Sequence, residues 1–211
     1  MEFHDNSQAR FDPPPDLTAA FSRFRRSPVP EIGLRAGDPV PPVVLKDAGG
    51  RLRALADDIR RGPVVLVFDA GPWDPSPVSF HDALLDIEPQ IRQLGGTLVV
   101  ISPASPAKRR GTPRCLAAGI VHLMDTDGQV AGLFGIAAAV PDDLRAIYAA
   151  EGYPVPSQSE DAWHLPLSAT FVIDRQGGIA YSSIGEPPLV VAEPSAVVTI
   201  LTCLQSRSPA A

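Results

Sequence analysis

The segment Gly62-Pro-Val-Val-Leu-Val-Phe-Asp-Ala-Gly-Pro-Trp-Asp-Pro-Ser-Pro77 decides how the chain folds. The apolar run from Val64 to Phe68 is mostly β-branched, which predicts a central parallel strand that is covered on both faces. A glycine and a proline then end the strand. Asp74 follows as a helix N-cap with Pro75 at the first helical position, and apolar residues at spacings of three and four predict a helix as far as Leu94. The segment therefore predicts a strand that delivers Asp74 to the positive end of a helix.

The neighbouring apolar runs predict a sheet around this strand. The run from Thr97 to Ile101 follows the helix at a distance that indicates a right-handed parallel strand–helix–strand unit. Further strands are predicted at Val121 to Met124 and at Ala169 to Ile173, and the stretch from Ile179 to Ile184 is predicted to form an antiparallel edge hairpin with the last of these. Upstream, Gly49-Gly50 predicts the turn of a small hairpin.

Several helices complete the pattern. They are predicted near residues 106–118, 130–134 and 142–151 and from Pro194 onward, and Pro89 predicts a kink in the helix that begins at Pro75. A short N-terminal helix is predicted from Asp16. Its apolar residues fall on one face, which is expected to pack on the domain or on a second subunit; they are Leu17, Ala20, Phe21 and Phe24.

Length, charge and cysteine content limit the class of protein. The chain has 211 residues, 45% of them hydrophobic, and a net charge of −6. This composition predicts one globular domain and argues against a nucleic-acid surface, which needs a high density of lysine and arginine. We expect a tail and helix at residues 1–33, the domain at 34–205 and a tail at 206–211. Because the sequence shows neither a leader nor an apolar run of about 18 residues, we expect a cytoplasmic protein that does not enter the membrane.

The two cysteines, Cys115 and Cys203, exclude a disulfide framework. Each is predicted to lie unpaired in the apolar core on a helix. The histidines His81 and His122 look structural and lack the spacing of metal ligands, so neither a metal nor a cofactor is predicted.

Five short motifs follow one another in a fixed order between about residues 34 and 204. They are Gly37-Asp-Pro-Val-Pro41, Phe68-Asp-Ala-Gly-Pro-Trp-Asp-Pro-Ser-Pro77, Leu98-Val-Val-Ile-Ser-Pro103, Asp127-Gly-Gln-Val-Ala131 with Phe134-Gly135, and Leu165-Pro-Leu-Ser-Ala-Thr-Phe-Val-Ile-Asp174. In order and spacing this series resembles the peroxiredoxin-like branch of the alkyl hydroperoxide reductase / thiol-specific antioxidant family. The resemblance implies an α/β protein with a thioredoxin fold of peroxiredoxin type, in which helices flank a mixed central sheet, here with an N-terminal helical extension.

The departures from the family pattern cluster at one place. The family turn typically reads Phe-Tyr-Arg-Gly-Gly-Trp-Cys-Pro-Tyr-Cys, whereas here Asp74 replaces the peroxide-reducing cysteine, Pro77 the second cysteine and Ala70 the arginine. Ser168 stands where the resemblance implies a cis-proline that faces the cysteines, and Val191 falls near the position of a second arginine. Five changes around one site indicate a thioredoxin-fold protein without thioredoxin chemistry.

Asp74 has two interpretations, a helix cap that replaced a cysteine or a general acid/base and ligand anchor. Asp69 either adds a second carboxylate at the carboxyl edge of the sheet or points to solvent. In one cleft, the repulsion between two carboxylates would raise the pKa of one above that of the other, so that one group serves as the acid and the other as the base. The resemblance places Ser168 opposite Asp74, and His164 is predicted on the loop that leads to Ser168. An Asp/His/Ser triad is disfavoured because no Gly-x-Ser-x-Gly elbow is present.

Four further residues are predicted to line this pocket. Trp73 and Trp163 would form its apolar wall, or else belong to the core or to a lid, and Pro77 and Ala70 complete the predicted substrate-binding set.

Three functions remain open at this stage. The first is binding of a small organic molecule at the former thiol pocket, with cofactor-free acid/base chemistry through Asp74. The second is a non-catalytic partner or regulatory protein that uses the peroxiredoxin surface. The third is residual thiol-dependent antioxidant activity through Cys115. The resemblance also implies a homodimer.

Overall fold

The structure is a computed structural model that describes residues 14–26, 33–75, 86–104, 119–152, 163–185 and 194–207. Its helices are α1 (Pro15–Arg25), α2 (Leu55–Arg61), α3 (Glu88–Gln93), α4 (Gln129–Leu133), α5 (Asp142–Ala150) and α6 (Pro194–Arg207), and a single 3₁₀ turn spans Gly71–Trp73. Its strands are β1 (Val44–Asp47), β2 (Leu52–Ala54), β3 (Val64–Phe68), β4 (Thr97–Ser102), β5 (Ile120–Met124), β6 (Ala137–Ala139), β7 (His164–Pro166), β8 (Ala169–Ile173) and β9 (Ile179–Ile184).

Seven of these strands form a mixed sheet in the order β2-β1-β5-β4-β3-β8-β9. Strands β3, β4 and β5 are parallel, and the other pairings in the sheet are antiparallel. Phe68 at the end of β3 pairs with Ile101 of β4 on one side and with Ala169 of β8 on the other. The predicted parallel unit and both predicted hairpins are therefore confirmed. A separate two-stranded sheet joins β6 and β7.

Strand β3 is buried along its whole length, as its β-branched sequence predicts. Val64, Leu66 and Phe68 belong to the larger hydrophobic cluster, which also includes residues of α1, α4 and α5. Val65 and Val67 belong to a second cluster, to which α3 and α6 contribute. The sheet thus separates two cores, and β3 lies between them.

Helix α1 packs on the domain, one of the two arrangements that its sequence predicts. Its apolar residues are buried in the same cluster as β3. On its outer side, Arg23 donates a hydrogen bond to the carboxylate of Asp143 in α5 over 2.7 Å. That bond lowers the pKa of Asp143. Both side chains are exposed, so we expect this ion pair to contribute little to stability, and the buried apolar face to hold α1 in place.

The helix predicted from Pro75 to Leu94 is interrupted. Asp86 is helical, Ile87 lies in a turn, and α3 then begins at Glu88. Pro89 therefore occupies the first turn of a new helix, where its missing N–H costs no hydrogen bond. The predicted kink is in fact a break.

The prediction of a buried Cys203 is wrong, because this residue is exposed on α6. The buried side of α6 is formed by Val197 and Leu201, and Cys203 does not share their helical spacing. Cys115 and His81 lie outside the described residues, as do Val191 and the predicted tail at 1–12. His122 lies on β5 and is buried.

Among the described residues, no helix combines the length and the hydropathy needed to span a membrane.

Candidate functional site

The 3₁₀ turn at Gly71–Trp73 lies at the carboxyl end of β3. The N–H of Trp73 donates to the carbonyl of Ala70 over 3.3 Å, and the N–H of Asp74 donates to the carbonyl of Gly71 over 3.2 Å. Gly71 has a φ of 60°, which glycine adopts without steric cost. A Cβ atom at Gly71 would lie 3.6 Å from the Cβ of Ser102, so the turn rests against the end of β4. This is the edge of a parallel sheet where α/β proteins bind ligands.

The side chain of Asp69 closes this turn. It is 4% exposed, and its Oδ1 accepts a hydrogen bond from the N–H of Gly71 over 2.6 Å. An aspartate that bonds the backbone two residues ahead stabilises a turn in the same way as a backbone bond. The alternative in which Asp69 points to solvent is therefore wrong, and its carboxylate supports the local backbone.

Asp74 stands at the end of the 3₁₀ turn and is partly exposed. Its φ of −78° and ψ of 111° are extended, as an N-cap residue requires. Pro75 is not part of a helix, contrary to the prediction, and residues 76–85, Pro77 among them, lie outside the described residues. Both interpretations of Asp74 consequently stay predictions, to be separated by substitution.

The two tryptophans of the predicted pocket are joined by a residue that the sequence did not indicate. Tyr148 of α5 stacks on Trp163 with ring centroids 6.3 Å apart and an interplanar angle of 20°. Its hydroxyl donates a hydrogen bond to the backbone carbonyl of Trp73 over 2.7 Å. All three side chains are buried, Trp73 at 3% exposure, in the larger cluster together with Ala70. The tryptophans were predicted to belong to the pocket wall, the core or a lid, and the structure places both in the core.

Ser168 and His164 lie in different parts of the fold. Ser168 directly precedes Ala169, the partner of Phe68, so its backbone lies beside Asp69 at the end of the sheet. His164 is not in a loop as predicted. It begins β7 and pairs with Ala139 of β6, and next to this pair the N–H of Val140 donates to the carbonyl of Trp163 over 2.8 Å.

The exposure of the predicted site residues divides them into two groups. The polar candidates Asp74, His164 and Ser168 are partly exposed. The remaining described members are buried: Asp69, Ala70, Trp73 and Trp163. The structure thus leaves solvent access to three groups that can exchange protons or donate hydrogen bonds, and it packs the apolar members into the core beneath them.

Asp125 is a buried acidic residue at this edge that the sequence did not indicate either. Asp125 follows β5, and its backbone N–H donates to the carbonyl of Ser102 over 3.0 Å. Its two carboxylate oxygens accept the N–H groups of Val130 and Ala131 over 3.1 and 2.8 Å, at the start of α4. Burial raises the pKa of Asp125, and the two backbone bonds oppose that shift. This carboxylate therefore orients α4. Within the described residues, no group of three histidine, cysteine or acidic side chains is arranged to hold a metal ion.

The mixed sheet, the flanking helices and the turn at the end of β3 define a thioredoxin fold of peroxiredoxin type. Comparison with known proteins agrees: the model of the AhpC/TSA family matches residues 36–182, and the chain belongs to this family. No curated protein matches the sequence significantly.

Solved structures of peroxiredoxins share the fold at low sequence identity. Peroxidoxin BcpB from Mycobacterium tuberculosis is 21% identical with a TM-score of 0.60, over 81% of this chain and 97% of that chain. Peroxiredoxin 5 from Alvinella pompejana is 18% identical with a TM-score of 0.58, over 81% of this chain and 99% of that chain. A thiol peroxidase from Chromobacterium violaceum is 18% identical with a TM-score of 0.58, over 83% and 90% of the two chains.

Proposed function

We propose that this chain is a peroxiredoxin-family protein that does not use thiol chemistry at its turn and that binds a small organic molecule there. In this proposal Asp74 is the group that carries a proton to or from the bound molecule. One observation supports it above the others. Asp74 is partly exposed, whereas Trp73 before it and Pro75 after it are buried, so the turn offers this carboxylate to solvent.

The chemistry of the carboxylate explains why the reaction would differ from that of the family. A cysteine at a helix start reacts as a thiolate, which attacks a peroxide and is itself oxidised. A carboxylate accepts the same backbone hydrogen bonds but has no sulfur to oxidise. It can take a proton from a bound molecule or return one, and this requires no cofactor. Ser168 supplies a further polar group at the same end of the sheet, and His164 stays a predicted member of the site.

A non-catalytic partner role is the alternative, and it requires an exposed apolar surface. Among the described residues, the exposed large apolar side chains are Val44, Leu52 and Leu133, at 58%, 73% and 54%. Leu52 pairs with Lys46, two residues from Val44, so both apolar side chains lie on one face of the β1–β2 hairpin. The apolar area that these two side chains expose is smaller than the contiguous patch of several hundred Å² that marks an interaction surface. Binding at Asp74 is therefore the preferred proposal.

Replacement of Asp74 separates a helix cap from a proton carrier. Asparagine caps helices about as well as aspartate, so Asp74→Asn should melt within a few degrees of wild type, while Asp74→Ala should lose about 1 kcal/mol of stability. An amide cannot carry the proton, so we expect Asp74→Asn to keep ligand affinity and to lose turnover. A thermal-shift screen of small acids, thioesters and cyclic metabolites supplies the ligand, and loss of substrate in its presence measures turnover.

Asp127→Asn is the matched control, because Asp127 is an exposed aspartate in another turn. It should leave stability, affinity and turnover unchanged. An Asp74→Asn variant that turns the ligand over at the wild-type rate would show that Asp74 serves only as scaffold.

A further inference from the structure

The turn that presents Asp74 is bonded to a helix that is distant in sequence. The hydroxyl of Tyr148 donates to the carbonyl of Trp73 over 2.7 Å, and the two residues are 75 positions apart. This bond is shorter than the backbone bonds within the turn, which measure 3.3 Å at Trp73 and 3.2 Å at Asp74. The last carbonyls of a short helix have no partner inside the helix, so a bond from outside has a large influence on how such a turn is held.

Tyr148 is itself held in place from several sides. It is fully buried and stacks on Trp163, whose own carbonyl accepts the N–H of Val140 over 2.8 Å. Tyr148 lies on α5, one helical turn after Leu144, which is also fully buried. Helix α1 covers α5 and is joined to it by the bond from Arg23. The donor hydroxyl therefore projects from a rigid support toward the turn.

We propose that Tyr148 is a positioning residue, whose hydroxyl fixes the carbonyl of Trp73 and thereby sets the orientation of the Asp74 carboxylate. The proposal rests on the proposed function, because it gives Tyr148 a role in presenting the group that carries the proton.

The physical argument concerns the peptide unit between Trp73 and Asp74. Its carbonyl belongs to Trp73 and its N–H to Asp74, so a bond to the carbonyl restrains rotation of the whole planar unit. That rotation would move the Asp74 side chain, because it changes the backbone dihedral angles on either side of the peptide. A phenylalanine at position 148 would keep the ring stack on Trp163 and would remove the bond to the carbonyl of Trp73.

Tyr148→Phe tests the proposal through amide hydrogen exchange. We expect the amides of Trp73 and Asp74 to exchange about five- to tenfold faster in the variant, as for the loss of one buried hydrogen bond, while the amide of Asp47 in the β1–β2 hairpin, which donates to the carbonyl of Arg51 and can open locally, keeps its wild-type rate. Equal acceleration at all three amides would indicate a general loss of stability and would overturn the proposal. So would unchanged exchange at the turn.

Thr170→Val is the matched control. The hydroxyl of Thr170 is fully buried in β8 and has no hydrogen-bond partner among the described residues, so its removal breaks no bond to them. We expect exchange at Trp73 and Asp74 to stay at the wild-type rate in this variant. Acceleration there equal to that in Tyr148→Phe would mean that the exchange reports the loss of any nearby hydroxyl, and would overturn the proposal.

Ligand binding distinguishes this proposal from the proposed function. The chain has two tryptophans, and both lie in this cluster, so their fluorescence reports on the turn. Tyr148→Phe should weaken binding of a molecule found in the thermal-shift screen. If wild type binds no such molecule, the proposed function fails, while hydrogen exchange still decides whether Tyr148 holds the turn. If Tyr148→Phe binds the molecule and exchanges as wild type does, the role of Tyr148 fails and the proposed function stands.

Discussion

Replacement of Gly62 by alanine is expected to lower the free energy of unfolding by about 3 kcal/mol or more. A Cβ atom on Gly62 would lie 2.0 Å from the backbone carbonyl oxygen of Gly95, a contact that side-chain rotation cannot relieve. Gly62 has a φ of 175°, which any residue adopts, so the cost comes from this clash and not from backbone strain. The contact brings the end of α2 against the turn before β4. A shift there would disturb the start of β3, the strand that delivers Asp74.

Urea unfolding followed by circular dichroism measures this effect, with Gly132→Ala as the control. Gly132 lies in α4, and a Cβ atom there would meet nothing within 4 Å. Alanine should therefore stabilise that helix, by about 0.5 kcal/mol. If Gly62→Ala unfolds at the wild-type urea concentration, the close approach of Gly62 to Gly95 does not exist in solution.

Replacement of Asp125 by alanine is the second large effect that we expect, a loss of about 2 to 4 kcal/mol. Asp125 is buried and accepts the N–H groups of Val130 and Ala131. Alanine would leave both donors without their acceptor at the start of α4. Asp127→Ala is the control, since Asp127 is exposed and accepts one longer bond, of 3.3 Å, from Gln129. It should cost less than about 1 kcal/mol.

The effect of Asp125 should also depend on pH. Burial raises the pKa of Asp125 above its ordinary value of 3.8. At this carboxyl group the folded protein therefore binds a proton more readily than the unfolded chain does. The free energy of unfolding that this protonation adds is fully present below pH 3.8 and is lost as the pH rises through the folded-state pKa. The stability difference between wild type and Asp125→Ala should therefore be larger in acid than at neutral pH. Urea midpoints that show the same difference at both pH values would contradict the raised pKa.

The sheet could be predicted from the sequence because its signals are local. The β-branched run at Val64–Phe68 is buried throughout, and the turn at Gly49-Gly50 joins the two strands of the predicted hairpin.

The helix with Pro89 was harder to predict, since a proline is compatible with either a kink or a new first turn. The spacing of the apolar residues does not distinguish the two.

The candidate site could be predicted only in part, since its key contacts join distant residues. The turn and the position of Asp74 were predicted from the single segment Gly62 to Pro77. The spacing of Leu144 and Tyr148 in α5 indicates a buried helix face, but no local pattern indicates that the Tyr148 hydroxyl bonds Trp73. Likewise, nothing near Asp69 in the sequence shows whether its carboxylate points to solvent or to the backbone of Gly71. These outcomes depend on tertiary packing and on the need to pair buried polar groups.

The central claim is that this peroxiredoxin-family chain does not reduce peroxides with any thiol donor, because the resemblance puts Asp74 and Pro77 in the two cysteine positions. The most direct test is stopped-flow consumption of hydrogen peroxide and of an alkyl peroxide with a thiol donor in excess, for wild type and for Cys115→Ser and Cys203→Ser. The account predicts that none of the three proteins consumes peroxide faster than a control without protein. Consumption above that control by wild type, abolished by either serine substitution, would contradict the account and would support residual thiol chemistry.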